Sequence, residues 1–472
     1  MLAPLIVGCA LFMEMLDSTV ISTALPAIAR SLHQDPITLN LAITAYMLSL
    51  AVFVPISGWM ADRFGARTVF RIAILIFTIG SVLCGLSGSL STIVASRVVQ
   101  GFGGAMMVPV GRLIVLRTIP KSDLVSAMSY LTVPAVLGPV VGPPVGGFIV
   151  TYWSWRWIFF INVPIGLIGI ALVTFFIENV REENVPPLDL RGFVLTGLGL
   201  AGLLFGLETI GRGVVSPGIT MCVLTAGGVC TGVYILHSRR VEYPIVDLRL
   251  MSIPTFAIAT IGGGLFRIGI GALPFLLPML LQLVFGLTPF ASGLLTFTSA
   301  CGALLMKPTA APIIRRVGFR NVLIGNGFIS ALILAGYALF RPTTPHVTIV
   351  AAFFVGGFLR SLQFTALGTL AYADVPQSMM SSASTLSSMT QQFFLSLGVT
   401  IGALILHLSL SVHGSSALSV ANFTPAFVIT GLLALLATLM FFLLEPHAGE
   451  VVSGRRSTLI DSAPTEEAAA VD

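Results

Sequence analysis

The chain has 472 residues, of which 56% are hydrophobic and 9% are charged, with a mean hydropathy of +1.00. A soluble globular protein is only about 45–50% apolar, so this composition excludes a soluble protein and predicts an all-α polytopic membrane protein. The net charge of +5 is carried by short loops between apolar runs, and we expect no nucleic-acid partner. Five cysteines are scattered without metal-ligand spacing, so neither a metal nor a cofactor is expected.

Fourteen apolar segments, taken in chain order, are predicted to form membrane-spanning helices. Each is about 20 residues or longer, which is enough to cross a hydrocarbon core about 30 Å thick. The segments lie at about 3–28, 38–60, 68–88, 91–116, 124–150, 156–177, 191–210, 217–236, 254–283, 291–312, 320–340, 347–370, 380–410 and 422–444.

The basic residues predict the orientation of these helices. Of the 24 lysines and arginines, 15 lie in the tail or in alternate loops on one side, and only four lie in the opposite loops. Lysine and arginine favour cytoplasmic loops, so the first side is expected to be cytoplasmic. Because fourteen is even, both termini are expected there too. The predicted location is the cell (cytoplasmic or inner) membrane, in contact with lipids and as a monomer.

Two charged hinges indicate an internal duplication. The sequences GWMADRFGAR, which begins at Gly58, and APIIRRVGFR, which begins at Ala311, are 253 residues apart. Three residues of the first hinge, Arg63, Gly65 and Arg67, have identical counterparts in the second, but an arginine stands where the first has Asp62. A long-period echo of this kind is typical of internally duplicated transporters.

The duplication predicts the domain organisation. The two halves align only if the seventh and eighth helices are set aside as a peripheral pair. We therefore predict an N-terminal six-helix bundle (1–180), a linker with two extra helices (181–250), a C-terminal six-helix bundle (251–445) and a disordered cytoplasmic tail (446–472).

A few charged residues remain inside the predicted spans. They are the acids Glu14 and Asp17 and the arginines Arg97, Arg112, Arg267 and Arg360. Ionisable residues in a membrane are costly and usually face a partner or a water-filled cavity. With the extra pair set aside, they occupy helices one, four, seven and ten, which are equivalent positions of a three-helix repeat. We predict one central pathway, with Arg112, Arg267, Arg360 and Gln363 as candidates for the substrate cavity. Lys307 is expected to snorkel from a helix end.

The two acids are the candidates for proton coupling. Glu14 and Asp17 are three residues apart, so both can lie on one face of a helix. In a poorly hydrated site their mutual repulsion and their loss of water favour the protonated form. Asp17 is the first choice, and Arg97 is a candidate for adjusting a nearby acid. The alternative is that one acid forms a permanent ion pair with Arg97 or another arginine and never titrates.

Four motifs resemble those of the major facilitator superfamily, and within it the drug:proton antiporter family with fourteen spanning helices. The first hinge resembles the superfamily's signature loop between helices two and three. The stretch from Arg97 to Ala105 resembles the fourth-helix motif, and the stretch from Leu16 to Pro26 resembles the first-helix motif of the fourteen-helix branch. The fifth predicted helix matches the motif that marks exporters at Gly138, Gly142, Pro143, Gly146 and Gly147.

The resemblance implies a major facilitator fold, two six-helix bundles plus a two-helix insertion, that works by alternating access. It further implies a gating loop at Gly58, Asp62, Arg63, Gly65 and Arg67, in which Asp62 contacts a helix N-terminus of the other half. Arg63 and Arg67 would pair with acids or lipid phosphates.

The leading functional prediction is a proton-coupled efflux transporter of small amphipathic compounds. The alternative is an exporter of an anionic metabolite, such as an organic carboxylate or its metal chelate, because the buried arginines outnumber the acids. An enzyme is not expected, since the buried residues include no nucleophile–base pair. No nucleotide-binding loop is present to supply energy from ATP.

Overall fold

In the computed structural model, residues 2–33, 39, 41–120, 123–182, 184–209, 215–287, 289–413 and 419–453 are described. The part of the chain so described is helical apart from turns and short connections. Residues 454–472, most of the predicted tail, lie outside the described residues.

The first half is built from six long helical stretches, two of which are interrupted. A 3₁₀ turn (Val54–Ile56) joins the second helix to the third, and its Pro55 lacks the N–H group that a continuous helix needs. A capping box between Ser89 and Thr92 starts the helix that carries Arg97. The helices are α1 (Leu2–Ser31), α2 (Leu41–Phe53), α3 (Ser57–Phe64), α4 (Ala66–Leu86), α5 (Leu90–Thr118), α6 (Leu124–Tyr152), α7 (Trp157–Phe160) and α8 (Asn162–Phe176).

A helical pair, α9 (Leu190–Thr209) and α10 (Pro217–Ser238), leads into the second half. The remaining helices are α11 (Pro254–Gly271), α12 (Leu273–Met279), α13 (Pro289–Val317), α14 (Phe319–Gly336), α15 (His346–Leu370), α16 (Met380–His413), α17 (Val420–Met440) and α18 (Glu450–Ser453). Short 3₁₀ or π turns lie at Leu248–Ser252, Leu280–Val284, Tyr337–Leu339, Gln377–Met379 and Phe441–Leu443.

Each of the fourteen predicted segments coincides with helix to within a few residues. Twelve helical stretches of the described residues are long and apolar enough to cross a membrane. The 29-residue helices α6 and α13 are not among these twelve. The count of fourteen spans therefore stays a prediction.

The helices pair in the same way in both halves. In the first half α1 packs on α6, α2 on α5 and α4 on α8; in the second half α11 packs on α16, α13 on α15 and α14 on α17. The extra pair is closely packed, since a methyl group at Gly202 would lie 3.0 Å from the Cα atom of Gly227. Helix α9 contacts α2 of the first half and α16 of the second, so the pair lies where the two halves meet.

The two hinges have the same backbone conformation. Gly65 and Gly318 have φ angles of +89° and +84°, in the left-handed region that favours glycine. Each follows the last residue of a helix, α3 or α13, and each precedes the next helix directly. The sequence match between the hinges therefore corresponds to one repeated turn.

The buried apolar residues of the described chain form three clusters. One cluster contains residues of both halves and lies at the ends of the helices near the hinges, from Val7 and Leu116 to Phe256 and Met380. The other two clusters lie toward the opposite ends, and each belongs to a single half. We call the end of the molecule that contains the shared cluster the hinge side. The two halves share one hydrophobic core at the hinge side and have separate cores at the opposite side.

Candidate functional site

Asp17 lies at the centre of a buried polar network in the first half. Its Oδ2 atom accepts a hydrogen bond from Nη1 of Arg97 at 2.6 Å. Its Oδ1 atom accepts from the amides of Gln100 at 3.0 Å and Asn162 at 2.9 Å. Both amides also donate to the hydroxyl of Ser81, at 2.7 and 2.8 Å. Helices α1, α5 and α8 are thus joined through one carboxylate, and α4 joins them through Ser81.

Arg97 is enclosed on its other sides. Its side chain is 1% exposed, and it donates to Gln100 at 2.5 Å. The guanidinium carbon lies 5.0 Å from the ring centre of Tyr46 and 5.4 Å from that of Phe159, which are distances typical of cation–π contact. Asp17 and Arg97 therefore form a closed ion pair, as the alternative interpretation of the sequence predicted.

Glu14 lies one turn before Asp17 and is also buried, with 4% of its surface exposed. Its Oε2 atom has no hydrogen-bond partner among the described residues. The hydroxyl of Tyr46 on α2 is likewise buried and has no hydrogen-bond partner among the described residues. The two acids that the sequence predicts as proton-coupling candidates thus have different surroundings.

The glycines of the fifth-helix motif hold α1 close to α6. A methyl group at Gly138 would lie 2.7 Å from Cβ of Met15, and one at Gly142 would overlap the hydroxyl of Thr19. Gly146 is buried in the same helix. Pro143 and Gly147 are described only through their helical backbone. This stripe packs on the turns of α1 that flank Asp17, so the motif positions the acid network.

The gating loop connects the two halves at the hinge side. The carboxylate of Asp62 accepts a hydrogen bond from Ser381, in the first turn of α16, and pairs with Arg117 at 2.7 Å. Arg117 also pairs with Glu182 at 3.0 Å. Gly58 packs against the same turn, since a methyl group there would lie 3.1 Å from the carbonyl oxygen of Ser381. The contact with a helix start of the other half matches the geometry that the resemblance implies.

The two hinge arginines make different contacts. Arg67 donates to the carbonyl oxygen of Ile177 at 3.3 Å, and Arg63 is exposed. The pairing of Arg63 and Arg67 with acids or lipid phosphates stays a prediction.

Arg112 and Arg267 lie in the shared interior near the hinge side. Arg112 crosses from the first half to donate to Tyr372 at 3.1 Å and to Ser387 at 3.3 Å. Arg267 is 7% exposed and lies over the ring of Phe364, 5.2 Å from its centre. It lines a small cavity, with room for about one water molecule, together with nine other residues, none of which is an acid: Ala259, Thr260, Leu367, Gly368, Ala371, Ser387, Thr390, Gln391 and Phe394. The side chain of Ser387 is thus common to the cavity wall and to the contact with Arg112.

The other substrate-cavity candidates lie apart from this cavity. Arg360 donates to the hydroxyl of Ser299, and Gln363 is buried between Asn326 and the carbonyl oxygen of Leu323. Neither lines the cavity at Arg267, and neither does Asp17. Within the described residues, the predicted single pathway through Asp17, Arg267 and Arg360 is therefore not seen as one hollow.

Lys307 does not snorkel. Its side chain is buried, with 6% of the residue exposed, and its ammonium group donates to Thr365 at 3.2 Å. The expectation was wrong because α13 continues to Val317, so Lys307 lies more than two turns from the helix end.

Several residues of the site were not singled out from the sequence. Asn162 and Ser81 complete the network around Asp17, and Arg117 and Ser381 complete the contacts of Asp62. Asn162 could have been found as an isolated amide at the start of an otherwise apolar helix. Serines and loop arginines are too common in this chain to be distinguished by composition.

The sequence model of the Major Facilitator Superfamily matches residues 7–399 and 261–469. This chain belongs to the Major Facilitator Superfamily. Relatives named "Putative multidrug resistance protein MdtD" are 40% identical over 86% of this chain and 87% of their own length in Pectobacterium carotovorum, and 38% identical over 85% of both chains in Salmonella paratyphi B. The predicted superfamily is confirmed, and the protein is a multi-pass membrane transporter rather than an enzyme.

Two solved structures have the same fold. The human organic anion transporter MFSD10 superimposes with a TM-score of 0.67 at 13% identity, covering 93% of this chain and 99% of that chain. The proton:xylose symporter XylE superimposes with a TM-score of 0.67 at 14% identity, covering 96% and 97%. At these identities the likeness concerns the fold alone, and it confirms the predicted major facilitator fold.

Proposed function

We propose that this protein is a proton-coupled exporter of small amphipathic compounds, in the manner of a drug:proton antiporter. The relatives named as multidrug resistance proteins support this proposal, because they match across almost the whole length of both chains. The observation that carries the coupling is the buried acid pair. Glu14 and Asp17 are both buried in one membrane-spanning helix, and Asp17 lies beside Arg97. An ionisable group at such a place has a high cost without a function.

The arrangement of the halves supports alternating access. A shared core and the contact between Asp62 and Ser381 close the molecule at the hinge side, while each half has its own core at the opposite side. Rocking the bundles 1–180 and 251–445 would exchange the closed side. We place the hinge side and both termini in the cytoplasm of a cell with the protein in its inner membrane, as a monomer in contact with lipids.

Everted membrane vesicles test this function. Ethidium, a lipophilic cation, is expected to accumulate in energised vesicles that contain the protein, and to leave when nigericin collapses the pH gradient. Vesicles without the protein are the control. Accumulation that is unchanged by nigericin, or equal in the control vesicles, would contradict the proposal.

A second candidate is export of an organic anion, because the cavity beside Arg267 has a buried cation and no acid among its described lining residues. Arg112 of the first half provides a second cation nearby, since it donates to Ser387 in the cavity wall. An anionic group bound there would bridge the two halves at the hinge side. Arginine guanidinium groups bind carboxylates through two parallel N–H···O hydrogen bonds.

The two candidates separate with one variant and its control. If the anion is the substrate, Arg267→Gln is expected to abolish efflux of carboxyfluorescein, while Arg360→Gln retains it because Arg360 lies outside the cavity. Ethidium efflux that survives in both variants, with no carboxyfluorescein transport in the unmodified protein, would favour the multidrug function.

A further inference from the structure

The interior around Arg267 has an excess of positive charge. Arg267 is buried on α11, and the charged side chain that acts most strongly on it is Arg112, a second cation from the other half. Neither arginine forms an ion pair with an acid of the described residues. The two guanidinium groups repel each other, and this repulsion is strong where little water is present to screen it. The arrangement therefore lacks a negative charge between the two halves.

The guanidinium group of Arg267 is held in one place. The ring of Phe364 lies 5.2 Å from its central carbon, and its Nη1 atom lies so close to Gly263 that a methyl group there would be only 2.9 Å away. Within the described part of the chain it donates to no hydrogen-bond acceptor, although it lines the cavity. Its N–H groups are thus free to bind a species inside the cavity.

Two hydroxyl groups in the cavity wall are also available as donors. The oxygen of Ser387 accepts hydrogen bonds from Arg112 at 3.3 Å and from the amide of Gln391 at 2.7 Å, and its own O–H reaches no acceptor among the described residues. A hydroxyl that accepts hydrogen bonds becomes a stronger donor. The hydroxyl of Thr260 likewise has no partner in the described chain. Donors from α11 and α16 therefore line the same small space.

The size of the cavity limits what these donors can bind. It has room for about one water molecule, so an organic carboxylate or a phosphate ester does not fit while the hinge side is closed. A monatomic anion such as chloride is similar in size to water. A water molecule would also find acceptors there, the side-chain oxygens of Thr390 and Gln391, but it would leave the buried positive charge uncompensated, which is costly. The charge therefore favours an anion over water.

We propose that the cavity at Arg267 binds one small inorganic anion of the chloride type, which acts as the counter-ion of Arg267 and Arg112 while the hinge side is closed. The ion is resident and is not exported, so this site goes beyond both candidate functions. Because Arg112 belongs to the first half and the cavity wall to the second, the ion reduces repulsion between the halves. A ligand that binds one state more tightly shifts the equilibrium toward that state. The anion thus stabilises the state closed at the hinge side.

The NMR line of chloride tests this site directly, because chloride that exchanges with a protein site gives a broadened line. The unmodified protein in detergent, without substrate, is expected to broaden the line, and added bromide is expected to reverse the broadening by competition. Gluconate at the same ionic strength is expected to leave it unchanged, since gluconate is too large for the cavity. Arg267→Gln is expected to lose the bromide-sensitive broadening. Arg360→Gln, a matched change outside the cavity, is expected to retain it.

Two further variants separate charge from hydrogen bonding. Arg267→Lys keeps the cation and is expected to retain chloride binding, whereas Ser387→Ala removes one donor and is expected to weaken binding several-fold. Three results would overturn the site: no bromide-sensitive broadening in the unmodified protein, full broadening in Arg267→Gln, or equal competition by gluconate and bromide. If Arg267→Gln does not fold, Ser387→Ala and Thr260→Val replace it, and unchanged binding in both would overturn the site equally.

Thermal unfolding tests the role of the ion as a counter-ion. At a tenfold excess over its dissociation constant, chloride is expected to raise the Tm of the unmodified protein by about 1–2 °C relative to gluconate. The Tm of Arg267→Gln is expected to be the same in both salts, and in gluconate to equal that of the unmodified protein. An equal rise in both proteins, or none in the unmodified one, would contradict this role. Both measurements are made without substrate, so their failure leaves the proposed transport function untouched.

Discussion

The two halves of this protein pair the same helices but treat buried charge in opposite ways. In the first half Arg97 pairs with Asp17 and donates to Gln100, and the amides of Gln100 and Asn162 donate to Asp17. In the second half Arg267 and Lys307 are also buried, yet neither has an acid opposite it among the described residues.

This difference has a physical consequence. A paired charge holds its helices in register, and removing one member leaves the other uncompensated. Arg267 and Lys307 have no acid opposite them among the described residues, so removing either leaves no buried carboxylate uncompensated. The first half therefore carries a charge pair that stabilises the fold, and the second half carries buried cations that have no such role.

The largest effect is expected from removing the cation that pairs with Asp17. Arg97→Gln leaves Asp17 buried without its cation, and it is expected to lower the free energy of unfolding by about 3–5 kcal/mol. The matched change Arg267→Gln removes an unpaired cation of similar burial and is expected to cost less than about 1 kcal/mol or to stabilise the protein. Denaturant unfolding in detergent measures both. Equal losses in the two variants would show that the halves do not differ as described.

A smaller effect is expected from the amides of the two halves. Asn162→Ala removes a hydrogen bond to a charged oxygen of Asp17, worth about 1.5–3 kcal/mol, and one to Ser81. Asn326→Ala removes two neutral hydrogen bonds, to Gln363 and to the carbonyl oxygen of Leu359, each worth about 1 kcal/mol. Thermal unfolding is expected to rank Asn162→Ala as the less stable variant. The reverse order would mean that the network around Asp17 is not what stabilises the first half.

The smallest effect concerns the contact between the halves. Ser381→Ala removes one hydrogen bond to the partly exposed carboxylate of Asp62 across the hinge side, worth about 1.5 kcal/mol, the low end for a charged acceptor. Since that free energy is about a tenfold change in an equilibrium, hydrogen–deuterium exchange in α3 is expected to rise by up to about tenfold. Ser361→Ala, which removes a hydrogen bond to Ala303 inside the second half, is the control and should leave α3 unchanged. Equal exchange in both variants would exclude Ser381 as a link between the halves.

The sequence alone determined the class of the protein, the position of each helix and the repeated hinge. These depend on composition, on runs of apolar residues and on a glycine with a left-handed φ angle, and all three can be read from neighbouring residues in the chain. The buried charges could also be identified, because a charge stands out in an apolar segment. The superfamily of the protein followed from four short motifs in the sequence.

Only the tertiary structure decided which charges meet. Asp17 and Glu14 have different surroundings because Gln100, Asn162 and Ser81, which come from three other helices, form the network around Asp17. The separation of Gln363 and Arg360 from the cavity at Arg267 depends on the rotation of each helix about its axis, and neighbours on other helices set that rotation. The burial of Lys307 depends on where α13 ends. Local sequence carries little information on such pairings, because the cost of a buried charge is set by what lies across from it in space.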